Sequence, residues 1–155
     1  MIPERINTLA ERVKDRITKQ WVDQGHSLTG KFEQTITHEV EDNNIIIKGR
    51  GYSLFLQYGV RPDQIRFPFA KKRIDALTAY AQLRMGLPPD VAKRVAGAIA
   101  YKHSKEGMPL PSTVKFSKTG QRTGFITNAK QDIINFARQE WLRIAKEEIY
   151  NTIRS

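Results

Sequence analysis

GYSLFLQYGVRP, Gly51 to Pro62, is the stretch on which the fold turns. Its middle is apolar and aromatic (Tyr52, Leu54, Phe55, Leu56, Tyr58), and Gly59 and Arg61-Pro62 close it. The residues before it alternate in polarity, and those after it follow helical spacing. The stretch therefore reads as a short buried turn of helix joining a sheet to a helical pair, its aromatic side chains structural.

Upstream, Lys31 to Val40 (KFEQTITHEV) sets Phe32, Ile36 and Val40 against Glu33, Gln34, Thr37 and His38. Glu41-Asp42-Asn43-Asn44 is turn chemistry, and Ile45-Ile46-Ile47 is a short β-branched run. Together these predict a hairpin whose second strand is the more buried. Further back, Pro3 to about Val22 reads as a helix with Pro and Glu4 in its first turn. Ile6, Leu9, Val13, Ile17 and Trp21 form one apolar stripe. Its mixed charges read as a solvated face. Gly25 stops it.

Downstream, the loop Arg61 to Phe69 holds two prolines, which forbid a regular helix, and Phe67 and Phe69 are expected to pin it to the core. A helix follows from about Ala70 to Met85, with Ile74, Leu77, Tyr80 or Ala81, and Leu83 inward. Pro88-Pro89 opens the next, to about Lys105, on Val91, Val95, Ala98 and Ile99. Its Ala92, Ala96, Gly97, Ala98 and Ala100 allow a close neighbour. Val114 to Ile126 reads either as a β-hairpin around Gly120 or as a mobile loop, projecting in both cases. Asn128 suits the N-cap of a final helix, Ala129 to about Ile153, with Ile133, Ile134, Ala137, Trp141, Ile144, Ile149 and Ile153 as its stripe. The order predicts one α+β domain over 1–155. It has a small antiparallel β-sheet packed with several helices and long N- and C-terminal helices, with a projecting segment at 112–126.

The chain has 155 residues, 39% hydrophobic and 27% charged, long enough for a real core. It contains no cysteine, which removes disulfides, thiolate metal sites and thiol nucleophiles. No apolar run approaches the ~18 residues of a membrane span. MIPERINTLAERVKDR lacks the apolar core of a signal peptide, so synthesis in the cytoplasm is expected. The three histidines, His26, His38 and His103, have no mutual spacing suited to metal ligation, and no carboxylate pair stands out for acid–base work. Lys118 to Gly124 (KTGQRTG) lacks the GxxxxGK[ST] order of a phosphate loop. No enzyme, cofactor or metal is expected.

The formal net charge is +10, with a pI near 10.0. Between 48 and 73, Lys48, Arg50, Arg61, Arg66, Lys71, Lys72 and Arg73 face one acid, Asp63. Between 102 and 122, Lys102, Lys105, Lys115, Lys118 and Arg122 face Glu106. Such loops suit either phosphate contacts without sequence reading or acids on a neighbouring subunit. The candidate subunit- or DNA-facing residues are Arg50, Arg61, Arg66, Lys71, Lys72, Arg73, Lys115, Lys118 and Arg122.

One resemblance runs through this order. Tyr52-Ser53-Leu54-Phe55-Leu56-Gln57-Tyr58-Gly59 followed by Arg61-Pro62 is similar to the YAxYVExGT-like motif and proline loop of the head–tail connector and tail-completion (neck) proteins of tailed bacteriophages. Ile74-Asp75-Ala76-Leu77 with Tyr80-Ala81, then Ala92 to Ala100, then Gly107-Met108-Pro109-Leu110-Pro111 continue it, so that it covers about 28–111. Gln57 stands where an acid is common, and Leu110 where an aromatic is. Ser112 to Ile126 looks like an addition whose deletion (Lys115 to Gly124) is expected to leave the fold intact. The resemblance implies a structural virion protein whose copies form a ring between portal and tail, through which the genome passes. It implies portal or adaptor and tail proteins as partners and leaves open whether packaged DNA is contacted without sequence reading; no membrane partner is expected. The alternative is a small basic nucleic-acid-binding protein.

Overall fold

A computed structural model describes residues 2–42 and 44–154, so Asn43 of the expected turn lies outside the described residues. Seven elements follow one another: α1 (Ile2–Asp23), β1 (Thr37–Glu41), β2 (Asn44–Lys48), α2 (Ser53–Tyr58), α3 (Lys71–Met85), α4 (Pro89–Glu106) and α5 (Phe125–Arg154). Short 3₁₀ turns occupy Glu33–Thr35, Pro62–Gln64 and Pro111–Phe116. The architecture is α+β: a two-stranded antiparallel sheet with long terminal helices.

α1 and α5 form the spine. Leu9 and Val13 of α1 bury against Phe136 of α5, with Ile45 and Ile47 of β2 closing the same cluster. The helices run antiparallel, since Arg5, Arg12 and Arg16 reach Glu147, Glu140 and Asp132 at 2.8, 2.7 and 2.6 Å. The charges expected to be merely solvated on α1 thus set its register on α5; as surface pairs they add more alignment than stability. The Arg12 and Arg16 guanidinium groups also lie 4.7 and 4.0 Å from the Phe136 ring centre.

Trp21 centres the second cluster. It stacks on Phe32 at 3.9 Å and meets the edge of Phe125 at 5.1 Å, with Ile36 beside them. Burying so large a ring stabilises the fold by ~2–3 kcal/mol. The other tryptophan, Trp141, is exposed, as are Ile134, Ile149 and Ile153. The buried residues of α5 are Phe125, Ala129, Phe136 and Ile144, and Ile133 and Ala137 pack half-buried on the Phe136 cluster, so Ile133, Ala137 and Ile144 of the expected stripe face the core.

In the hairpin, His38 pairs with Ile47 and Val40 with Ile45. Asp42 takes the positive φ that a tight turn needs. The two strands are equally half-buried, so β2 is not the more buried of the two. β1 starts later than the alternation suggested, because Glu33–Thr35 winds into a 3₁₀ turn that delivers Phe32 to Trp21.

α3 and α4 pack closely because small residues meet. Ala81 of α3 and Ala92, Ala96 and Ala100 of α4 are fully buried, four-residue spacing placing the last three on one face. The expected close neighbour is therefore α3, but the contact runs along the alanines; Ala98 and Leu83 face solvent. The pair is tied back to α2 by Val60 and Met108, which exchange two backbone hydrogen bonds of 2.7 and 2.8 Å. Gly107 permits this approach: it has φ 81°, and a Cβ there would stand 2.4 Å from the Val60 carbonyl.

The segment 112–126 neither projects nor forms a hairpin. Pro111–Phe116 is a 3₁₀ turn, and α5 begins at Phe125 rather than Ala129. The segment is docked on the end of α1. Lys118 N–H donates to the Asp23 carbonyl (2.7 Å) and Arg122 Nη1 to the Gln24 carbonyl (2.7 Å). Gln24 Nε2 donates to the Thr123 carbonyl (3.0 Å). Gly25, at φ 74°, sits so close that a Cβ would lie 2.2 Å from the Phe116 carbonyl oxygen.

Candidate functional site: the exposed aromatic and basic surface

The stretch Gly51 to Pro62 forms the expected helical turn, but it faces the other way. Of α2, only Gln57 is buried. Its side chain is the joint with α5: Gln57 Oε1 accepts from Ile126 N–H at 2.8 Å, Gln57 Nε2 donates to Thr127 Oγ1, and the Gln57 carbonyl accepts from Gly124 N–H at 2.8 Å. A polar residue is needed because the first amides of α5 have no partner within their own helix. Leu56 lies half-buried on the Trp21 cluster.

The remaining large side chains point outward. Leu54 and Phe55 are more than half exposed, and Tyr58 is 79% exposed. Phe67, at 76%, and Phe69 are exposed too, so they do not pin their loop. The loop is held instead by polar contacts: Arg61 N–H donates to Gln64 Oε1 at 2.9 Å, and Arg61 Nη2 meets the Asp63 carboxylate at 3.1 Å. Helical spacing cannot say which face of a six-residue helix is buried, and this is why the aromatic residues of the stretch are misread as core.

The nine candidate basic residues divide. Arg50, Arg61, Arg66, Lys71 and Lys72 are exposed around the aromatic stretch. Lys115 and Lys118 are exposed on the docked segment, Lys115 Nζ 5.2 Å from the Phe116 ring centre and Lys118 Nζ 3.9 Å from the Asp23 carboxylate. The other two are structural. Arg122 is half-buried on Gln24, and Arg73 is half-buried, with Nη2 3.1 Å from both His103 Nδ1 and Met108 Sδ.

Sequence reasoning passed over Arg84, whose Nη2 donates to the Gly25 (2.7 Å) and Ser27 (3.2 Å) carbonyls while its guanidinium lies 5.6 Å from the Phe116 ring. It also left His26 and His103 without a structural part. Both are pushed down to about 4, first by burial, then by cations: Arg122 and Arg84 against His26 (a hydrogen bond to the Arg122 backbone pulls the other way), and Arg73 against His103. They stay neutral at pH 7 and act as packing groups. No group of three or more histidines and carboxylates among the described residues is placed to hold a metal ion.

Two hollows border this surface. A shallow groove of about 820 Å³ is edged by Tyr58, Arg61, Pro62, Glu106, Val114 and Gln121. A deeper cleft of about 370 Å³ lies between α3, α4 and the 108–116 segment. Comparison with protein-family models, curated proteins and solved structures finds no match.

Proposed function

We propose that the chain is a structural subunit of a tailed-phage virion, assembling with copies of itself into a ring in the neck between portal and tail. The reading is supported first by the order of motifs from Tyr52 to Pro111. The single structural observation that favours it is the outward presentation of Leu54, Phe55, Tyr58, Phe67 and Phe69 from one short stretch. Large apolar side chains exposed to this degree over one segment mark a surface that another protein covers. Arg50, Arg61, Arg66, Lys71 and Lys72 are exposed in the same stretch of chain and supply the charge that the polar rim of such an interface needs.

A second reading, a nucleic-acid-binding protein, is favoured by the same rim. Arg66, Lys71 and Lys72 flank two exposed phenylalanines, a combination that suits stacked bases beside phosphates. A salt series with DNA separates the two. Tight binding by a monomer, weakening steeply between about 50 and 200 mM salt, favours the nucleic-acid reading and overturns the ring. Salt-insensitive self-association, with the chain recovered in purified virions, supports the ring.

A further inference from the structure

The deeper cleft has a composition that the assembly reading does not use. Its apolar walls are Leu77, Tyr80 and Met85 of α3, Ile99 of α4, and Leu110 and Phe116 of the following segment. Its charged lining is Lys102, Lys115 and Arg122, beside the buried and neutral His103. No carboxylate is among the described residues that line it.

Behind Phe116, the wall stores positive charge without a counter-ion. Arg84 and Arg122 donate only to backbone carbonyls, and the buried Nε atoms of Arg73, Arg84 and Arg122 have no hydrogen-bond partner. None of the three forms an ion pair among the described residues, although the chain's other half-buried arginines, Arg5 and Arg16, each do. Burial pushes Arg122 below its ordinary range; Tyr80 draws it up again, and Arg84 pushes it down. Removing a guanidinium from water without an anion is unfavourable, and an anion arriving from outside offsets it. An apolar hollow of this size with a few convergent polar groups is the usual shape of a ligand site.

We propose that this cleft binds an apolar carboxylate, its hydrocarbon part against Leu77, Ile99 and Phe116 and its negative end toward Lys102, Lys115 and Arg122. The ligand is either a free alkyl carboxylate or the carboxylate end of a polypeptide carrying a large apolar side chain. The inference is independent of ring assembly and stands or falls without it.

The test is a titration of the full chain, ¹⁵N-labelled, followed by amide chemical shifts. Four probes are used: sodium decanoate, decyltrimethylammonium, acetyl-Phe-Leu with a free carboxylate, and its C-terminal amide. At least one carboxylate is expected to shift the amides of Leu77, Ile99 and Phe116 and to bind at least tenfold more tightly than its cationic or neutral counterpart. Lys102→Glu/Lys115→Glu, changed at two exposed positions, should abolish or reverse that preference. Leu77→Trp should fill the cleft and remove binding altogether. Decanoate alone assigns the site to alkyl carboxylates, and acetyl-Phe-Leu alone to polypeptide ends; either supports the proposal. Equal binding of charged and uncharged partners, a preference that survives charge reversal, or no shift at these residues overturns it.

Discussion

Gln57 carries more of the fold than any other residue in its stretch. Its side-chain amide serves both the Ile126 N–H in the first turn of α5 and the Thr127 hydroxyl. Gln57→Ala should remove both of these part-buried hydrogen bonds, lowering stability by ~1–3 kcal/mol in urea unfolding. Gln57→Glu should fold, because a carboxylate accepts from Ile126 N–H and suits the positive end of a helix. The buried His103 and half-buried His26 make a prediction of their own. Their native pKa of about 4 lies below the ordinary 6.5, so the unfolded chain binds more protons. Their contribution is complete above pH 6.5 and is lost as pH falls toward 4. The melting temperature should therefore drop across that window, and His26→Gln/His103→Gln should flatten the drop. An unchanged pH profile in the double variant would show that other groups cause it.

Among the elements, the segment 112–126 departs most from its reading. The turn residues around Gly120 suggest a projecting hairpin or loop, but contacts decide the outcome, and those contacts come from Asp23, Gln24 and Gly25 at the far end of α1. No local pattern in the segment announces partners about 100 residues away. Deleting Lys115 to Gly124 should accordingly unfold the domain or cost it most of its cooperativity, seen as loss of a sharp thermal transition, because it removes Arg122, Thr123 and the lead into α5. A variant that still melts sharply near the parent temperature would contradict the docking. By contrast, α1 was legible almost to its ends, since Ile6, Leu9, Val13 and Trp21 keep one face and Gly25 takes the left-handed conformation that ends it. α4 was legible as a close-packing helix from its alanines. α5 was legible in existence and only partly in facing: it carries apolar residues on two sides, and Ile133, Ala137 and Ile144 of the expected stripe meet the core while Ile134, Trp141, Ile149 and Ile153 do not.

At the scale of the whole molecule, two properties stand together: a net charge of +10 and large apolar side chains left outside. The charge alone keeps copies apart in solution and favours polyanions. The exposed Leu54, Phe55, Tyr58, Phe67 and Phe69, with Trp141, Leu142, Ile149 and Ile153 on the free face of α5, favour association with protein. The candidate surface was half legible: its arginines and lysines were visible as a charge window, but its aromatic residues were assigned to the core, because exposure is settled by how α2 hangs on Gln57. Light scattering on the purified chain, at physiological salt and without DNA, tests the assembly reading most directly. The account predicts a discrete oligomer many times the 17.8 kDa of one chain, and predicts that Tyr58→Ser/Phe67→Ser reduces it to monomers with an unchanged melting temperature. A monomer across the accessible concentration range, or an oligomer indifferent to the double substitution, would contradict it.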